Sequence, residues 1–140
     1  MMRVVSVGDI EHKMECNAFT PIVYSGEFKV DKPNGGKRPK DISEAIGVIA
    51  ESLSYVGIPA ITPLLEIFWA FEKTADQNLE GFSEWLGKFP TDAYDMTRGD
   101  GWASDVMKLV EANFFPGQRT NVDAKAAEAP DATSSGRDKE

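Results

Sequence analysis

Hydrophobic and polar residues alternate near the amino terminus and then recur at helical spacing along most of the chain. Residues 4–7 are mostly valine, and residues 10–16 have a looser period of two. The side chains that this period places on one face are Ile10, Met14 and Cys16. Between the two segments, Gly8-Asp9 has the composition of a two-residue hairpin turn. The pattern predicts an N-terminal β-hairpin with its apolar side chains, Val5, Val7, Ile10 and Met14, covered by the helices that follow.

Two Thr-Pro pairs mark expected helix starts. We expect Thr20 to be an N-cap whose side-chain oxygen accepts a hydrogen bond from the first turn, with Pro21 at the first helical position. The short helix that follows contains Tyr24 and Phe28. The same pair recurs at Thr62-Pro63 and predicts a second capped start there.

Residues 31–40 predict a turn-rich connector. Pro33 and Pro39 interrupt helical periodicity, and Gly35-Gly36 permits a reversal of the chain. The basic cluster of the chain, residues 37–40 (Lys-Arg-Pro-Lys), falls in this connector. We expect a solvated loop there, with a contact to a partner as the alternative.

Helical periodicity returns over residues 42–56, where apolar side chains recur at steps of three and four. Asp41 is expected to cap this helix, and Gly57 is expected to end it in the left-handed conformation. The predicted inward stripe consists of Ile42, Ala45, Ile46, Ile49, Leu53 and Val56.

The helix predicted after Thr62-Pro63 is apolar on nearly all sides, which is typical of a helix at the centre of a domain. Glu66 is the polar residue among its apolar positions, and the helix is expected to end near Asp76. Burial of a side chain such as Trp69 would contribute about 1.5–3 kcal/mol. The apolar positions are Leu64, Leu65, Ile67, Phe68, Trp69, Ala70 and Phe71.

Two further helices complete the predicted domain. Asn78 is expected to cap the first, over residues 79–88, and the second covers residues 102–114. Their apolar stripes are Phe82, Trp85, Leu86 and Phe89 in the first helix and Trp102, Val106, Leu109, Val110 and Phe114 in the second. Residues 91–101 between them predict a polar loop, and its carboxylates do not align with the ligand pattern of a calcium loop.

The predicted fold is mainly α with a small β part, in which the hairpin packs on a compact bundle of four to five helices. Residues 1–118 are expected to form a single globular domain. Residues 119–140 are acidic and polar without an aromatic side chain, so we expect a disordered tail.

Composition excludes several classes of function. A net charge of −8 opposes binding to nucleic acid, which needs a basic face. The apolar runs are far shorter than the roughly 20 residues of a membrane-spanning helix. The amino terminus lacks the apolar block of a signal peptide, so the cytoplasm is the expected compartment.

The side chains also give little support to catalysis or metal binding. Cys16 is the single cysteine and His12 the single histidine. On one strand they would lie about 13 Å apart, at roughly 3.3 Å per residue, which is too far for a nucleophile and its base. One histidine and one cysteine make no ligand set of the usual spacing. We therefore expect no catalytic residue, no metal and no cofactor, and we expect Cys16 to be a small buried side chain.

The order of these segments resembles the tail assembly chaperones of long-tailed bacteriophages, over about residues 3–115. The resemblance begins at residues 16–24 (Cys-Asn-Ala-Phe-Thr-Pro-Ile-Val-Tyr) and continues at residues 64–71, at residues 82–86 (Phe-Ser-Glu-Trp-Leu) and at residues 110–114 (Val-Glu-Ala-Asn-Phe). One segment departs from the family. Its members commonly follow the tyrosine with an arginine and end the helix in Phe-Gly and an acidic residue, where this chain has Ser-Gly-Glu-Phe-Lys-Val.

The resemblance implies a non-enzymatic function in tail morphogenesis in the host cytoplasm. Members of the family are thought to coat the long, helical tape-measure protein and to recruit tail-tube subunits around it. Many are also made in a longer form through a programmed ribosomal frameshift. The implied partners are the tape-measure protein, the tail-tube protein, a frameshifted longer form and further copies of the chain itself. The polar tail fits either the site of such an extension or the ragged end of any soluble domain.

Binding an apolar helix requires apolar side chains at the surface. The chain has more aromatic residues than a core of this size needs, so we expect a few of them to contact a partner. The candidates are Phe19, Tyr24, Phe28, Phe114 and Phe115. The alternative function is a structural adaptor of the virion, either a head–tail connector or a minor tail protein, and a small enzyme is a third hypothesis.

Overall fold

The computed structural model describes residues 2–7, 10–90 and 101–115. The chain divides into two compact units, Met1–Met107 and Lys108–Glu140. The predicted turn at Gly8-Asp9, nearly all of the predicted loop at 91–101 and the predicted tail at 119–140 lie outside the described residues. The domain boundary predicted at residue 118 therefore stays a prediction.

Five helices and two small hairpins make up the described part of the chain, which confirms a mainly α fold with a small β part. In chain order the elements are β1 (Met2–Val7), β2 (Ile10–Glu15), α1 (Thr20–Glu27), β3 (Lys29–Asp31), β4 (Lys37–Pro39), α2 (Ile42–Tyr55), α3 (Ile61–Ala75), α4 (Phe82–Leu86) and α5 (Trp102–Phe114).

The N-terminal hairpin forms as predicted, with β1 antiparallel to β2 and Val5 opposite His12. β2 packs against α3, and the covered side of the sheet consists of Val5, Val7, His12 and Met14. The prediction for Ile10 was wrong, because this side chain is 48% exposed. Ile10 lies at the turn end of the hairpin, opposite Val7, which is buried.

Helix α1 begins at Thr20, so the prediction of Thr20 as N-cap was wrong. The N-cap position is Phe19, which makes no side-chain cap bond. Asn17 closes the preceding turn instead, since its Oδ1 accepts from the backbone N–H of Phe19 at 2.8 Å. The Thr20 hydroxyl accepts from the backbone N–H of Asn17 at 3.1 Å, outside the helix. The helix therefore follows a turn closed by Asn17 and has no side-chain cap.

The segment predicted as a solvated connector is a second hairpin, β3–β4. Gly35 and Gly36 form its reversal with φ of 96° and 79°, values that suit glycine. Three cations of the basic cluster are paired, so it is more ordered than predicted. The ion pairs are Lys37–Asp31 at 2.6 Å, Arg38–Glu44 at 2.8 Å and Lys40–Glu66 at 3.1 Å.

Helix α2 carries the capping box that its sequence indicates. Asp41 is the N-cap, and Glu44 accepts in return from the backbone N–H of Asp41 at 2.9 Å. Gly57, with φ of 93°, follows the helix as predicted. The inward stripe is shorter than predicted, since Leu53 and Val56 are exposed. The second half of α2 therefore extends past the apolar surface that covers its first half.

Helix α3 is the centre of the core, as predicted. Seven of the eight residues from 64 to 71 are buried: Leu64, Leu65, Ile67, Phe68, Trp69, Ala70 and Phe71. Thr62 lies inside the helix and does not cap it, because the helix starts at Ile61 with Ala60 as N-cap. The helix ends at the predicted residue, with Asp76 as C-cap.

Helix α4 is shorter than the predicted 79–88, and its N-cap is Gly81 rather than Asn78. The backbone N–H of Asn78 donates to Oδ1 of Asp76 at 3.0 Å, so Asn78 is part of a turn rather than the N-cap of a helix.

Helix α5 has the predicted bounds. Trp102, Val106, Leu109 and Val110 are buried.

Candidate protein-binding surface

The inner side of α1 is attached to α3 by a pair of threonines. The hydroxyl oxygens of Thr20 and Thr74 lie 3.0 Å apart, and Thr20 is fully buried. The Thr74 hydroxyl donates its hydrogen to the carbonyl of Ala70 at 2.7 Å. Since a hydroxyl has one hydrogen, Thr20 must be the donor to Thr74. The first turn of α1 is therefore fixed to the last turns of α3 by satisfied polar groups.

A second polar contact holds α1 one turn later. The Tyr24 hydroxyl donates to Oε1 of Glu66 on α3 at 2.6 Å. The ammonium of Lys40 lies 3.1 Å from the same oxygen, and the Lys40 carbonyl accepts from the Ser25 hydroxyl at 2.7 Å. α1, α3 and the end of the second hairpin are thus joined at one carboxylate. These bonds give α1 a defined orientation.

Two of the predicted partner residues, Tyr24 and Phe28, belong to the core rather than the surface. Tyr24 is fully buried and Phe28 is 9% exposed. Their ring centroids are 4.7 Å apart, and Phe28 also meets Trp69 edge-on at 5.6 Å and Phe82 at 5.0 Å. The four-residue spacing of Tyr24 and Phe28 indicates that both rings share a helical face, but it does not indicate whether that face is buried or exposed. In this structure these two rings stabilise the domain.

The outer side of α1 is apolar. Phe19 and Ile22 are each 67% exposed, Val23 beside them is half-buried, and Gly26 is exposed. Offsets of three, four and seven residues place all four positions on one helical face, which we call the α1 apolar face. The usual polarity is reversed here, since threonine and tyrosine hydroxyls face the core while Phe19 and Ile22 face outward. Each of these two side chains would contribute about 1.5–3 kcal/mol if a partner covered it fully.

Sequence reasoning found Phe19 and missed Ile22. The signal was present in the spacing, because Ile22 is three residues from Phe19 and lies away from Thr20 and Tyr24. It was hidden by the assignment of Tyr24 and Phe28 to the same partner surface. Once those two residues are known to point inward, the opposite face of α1 follows from the helical repeat.

A second apolar surface lies at the end of α2. Tyr55 is 83% exposed and Val56 69% exposed. Leu53 and Ile58 complete this surface, which we call the α2 end. The Ser52 hydroxyl donates to the carbonyl of Ile58 at 2.8 Å and so holds the turn that follows the helix. The α2 end therefore presents exposed apolar side chains on a turn held by a local hydrogen bond. Helix α1, by contrast, is oriented by the buried hydrogen bonds of Thr20 and Tyr24 to α3.

Phe114 and Phe115, the remaining predicted partner residues, are half-buried in the second unit. Phe19 is thus the most exposed of the five candidates, followed by these two. That any of them contacts a partner stays a prediction.

The residues with reactive side chains are placed where they serve packing. Burial raises the pKa of the Cys16 thiol, which makes the nucleophilic thiolate scarce near neutral pH. The polar contact of His12 is with Glu72, at 2.7 Å. Across residues 2–7, 10–90 and 101–115, no group of three or more His, Cys, Asp or Glu side chains is arranged to hold a metal ion. The described helices are all too short or too polar to cross a membrane.

The chain matches no protein-family model, no curated protein and no solved structure. The inference of its function therefore depends on the α1 apolar face and on the sequence motif at residues 16–24.

Proposed function

We propose that this protein is a phage tail assembly chaperone that binds the tape-measure protein and helps to recruit tail-tube subunits during tail morphogenesis. The activity is non-enzymatic and takes place in the host cytoplasm. The observation that carries the proposal is the α1 apolar face, where Phe19 and Ile22 are exposed on a helix whose hydroxyl groups are bonded inside the core. The proposal also rests on the family resemblance of residues 16–24.

The α1 apolar face has the chemistry needed to cover one side of an apolar helix. Such a partner would place side chains at spacings of three and four residues against Phe19 and Ile22. The face is held by the Thr20–Thr74 and Tyr24–Glu66 bonds, so little ordering is required when a partner binds. It is also small, which suits a chaperone that must release its partner when tube subunits arrive. The charge of −8 keeps a protein with exposed apolar residues soluble.

The first experiment is co-expression with a segment of a tape-measure protein, a long helical chain whose gene is expected downstream of this one. We expect the wild-type chain to keep that segment soluble. A variant with both Phe19→Ser and Ile22→Ser should lower the soluble yield about tenfold, because the apolar contact is lost. Tyr55→Ser is the matched control, since it removes an exposed aromatic side chain from the α2 end. It should leave the yield unchanged.

Two results of the co-expression experiment would contradict the proposal. If the wild-type chain does not solubilise the segment, the chaperone proposal fails. If Tyr55→Ser lowers the yield as much as the double variant does, the α1 apolar face is not the binding surface. Purified virions distinguish the alternative function, because a structural adaptor remains in them whereas a chaperone is absent.

The DNA that follows the codon for Ala112 gives an independent test. A slippery run before the stop codon and an overlapping frame that extends the protein are expected for a chaperone made in two lengths. A long helical tape-measure frame should lie downstream. A gene that has neither feature would favour the structural adaptor.

A further inference from the structure

The strand β1 has an open edge. It pairs with β2 along one side, from Met2 opposite Glu15 to Val7 opposite Ile10. In the described residues its other side pairs with no strand, because the sheet consists of β1 and β2 alone. In an antiparallel strand, alternate residues direct their N–H and C=O groups to opposite sides. The outer side of β1 therefore presents a row of backbone donors and acceptors.

Protection of a strand edge usually comes from short length, proline or free charges. The second hairpin has the first two features, with three-residue strands and Pro39 at one end, while its Asp31 and Lys37 are paired with each other. β1 has six residues and no proline. Its one charged side chain, Arg3, lies 3.3 Å from Asp105 and is thereby drawn into an ion pair. The two hairpins of one chain thus differ in the features that prevent edge pairing.

The side chains of β1 also favour pairing. Met2 and Val4 are 56% and 54% exposed on the outer face of the sheet, while Val5 and Val7 are buried on the inner face. We propose that β1 pairs antiparallel with β1 of a second copy of this chain, which gives a homodimer with a continuous four-stranded sheet. The proposal is independent of the proposed function, since it uses neither the α1 apolar face nor the α2 end.

Symmetry favours a second copy as the occupant. An antiparallel ladder between identical strands has a twofold axis, so the same edge serves as donor and acceptor on both sides. Residues opposite each other in such a ladder share a face of the sheet. An axis through Val4 sets Val4 against Val4 and Met2 against Ser6, which leaves Val5 and Val7 of both copies on the covered side. It also places each Arg3 opposite Val5, so the two cations do not face each other.

Charge gives the pairing a distinctive salt dependence. Each copy carries a net charge of −8, so two copies repel each other at low ionic strength. The β1 edge has no unpaired acidic group to oppose contact, and added salt screens the overall repulsion. Association through β1 should therefore strengthen with salt, whereas an interface held by ion pairs would weaken.

Sedimentation velocity over a micromolar concentration series, at low and at high salt, tests the proposal. We expect a monomer–dimer equilibrium that shifts toward dimer at high salt. Val4→Lys should weaken dimerisation about tenfold or more, because a lysine on the outer face of an edge strand opposes pairing. Val56→Lys is the matched control, since it makes the same substitution at another exposed valine, and it should dimerise like the wild type.

Hydrogen–deuterium exchange on the wild-type chain gives a second readout that needs no variant. The β1 amides that face away from β2 should exchange more slowly as the concentration rises, while β3 and β4 amides should not change. A chain that stays monomeric at every concentration overturns the proposal. Equal weakening by Val4→Lys and Val56→Lys, or dimerisation without protection of β1, overturns it as well.

Discussion

His12 and Glu72 join the N-terminal hairpin to the central helix, with His12 Nδ1 2.7 Å from Glu72 Oε1. The same oxygen accepts from the indole N–H of Trp85 at 2.8 Å. The His12 ring also packs against the rings of Phe68 at 5.2 Å and Phe89 at 5.8 Å. β2, α3 and α4 therefore meet at one mostly buried carboxylate oxygen, and the cluster fixes the hairpin to the helices.

Replacement of Glu72 should be costly, because Glu72→Ala leaves two buried N–H donors without an acceptor. We expect the free energy of unfolding to fall by about 3 kcal/mol. Urea denaturation at neutral pH measures this change. Glu84→Ala, which removes an exposed glutamate from α4, is the control and should stay within about 0.5 kcal/mol of wild type. A loss below about 1 kcal/mol for Glu72→Ala would mean that the carboxylate does not hold the hairpin.

Tyr24 should make the domain less stable at alkaline pH. Burial, followed by the hydrogen bond to Glu66, raises the pKa of Tyr24 well above its ordinary value of 10. Above pH 10 the unfolded chain releases this proton while the folded chain retains it, so stability falls as the pH rises. The contribution of Tyr24 is complete below the unfolded pKa and is lost above it.

The difference between the wild-type chain and Tyr24→Phe isolates this effect from the other titrating groups. At neutral pH the variant should lose about 1 kcal/mol, the value of the hydroxyl bond to Glu66. As the pH rises above 10 the two urea midpoints should converge, since phenylalanine has no proton to release. A constant difference across the whole pH range would contradict a raised pKa for Tyr24.

The sequence was sufficient for the helices whose apolar pattern is unambiguous. α3 and α5 follow directly from dense or regular apolar spacing, and the Asp41 capping box marks α2 because its two hydrogen bonds are local. The second hairpin was missed because its strands are three residues long and exposed, so they carry no alternating pattern. The Thr20 cap could not be judged from the sequence, because the Thr20 hydroxyl bonds to a distant residue, Thr74.

The candidate surface was harder to predict for a related reason. Aromatic residues are abundant in the chain, and composition does not say which of them find cover. Tyr24 is buried because Glu66, 42 residues away, offers an acceptor for its hydroxyl. Phe19 is exposed because it precedes the helix on the side away from α3. The His12–Glu72 contact also joins positions 60 residues apart, and no local spacing indicates it.

Trp69 should be among the most sensitive positions in the chain. It is 2% exposed, meets the Phe28 ring edge-on, and its indole N–H donates to the carbonyl of Glu80 at 3.0 Å. We expect Trp69→Ala to lower the free energy of unfolding by about 3–5 kcal/mol, from lost contacts and a residual cavity. Trp69→Phe keeps most of the ring and should lose about half as much. A loss below about 1 kcal/mol for the alanine variant would remove Trp69 from the core.

Glu44 should titrate at unusually low pH because of Arg38. The guanidinium donates to both carboxylate oxygens, at 2.8 and 3.1 Å, and the backbone N–H of Asp41 donates to one of them. The Arg38 bond is the larger cause, and together they lower the pKa of Glu44 from 4.5 to about 2. The stabilisation is therefore present above pH 4.5 and is lost as the pH falls toward 2.

Carboxyl-detected NMR titration of Arg38→Gln tests this assignment. The pKa of Glu44 should rise toward its ordinary value but stay below it, because the Asp41 bond remains. Lys37→Gln removes a neighbouring cation that pairs with Asp31 instead, and the pKa of Glu44 should not change. If Lys37→Gln moves the Glu44 titration as far as Arg38→Gln does, the shift comes from the general charge of the basic cluster. The bidentate bond would then not be its main cause.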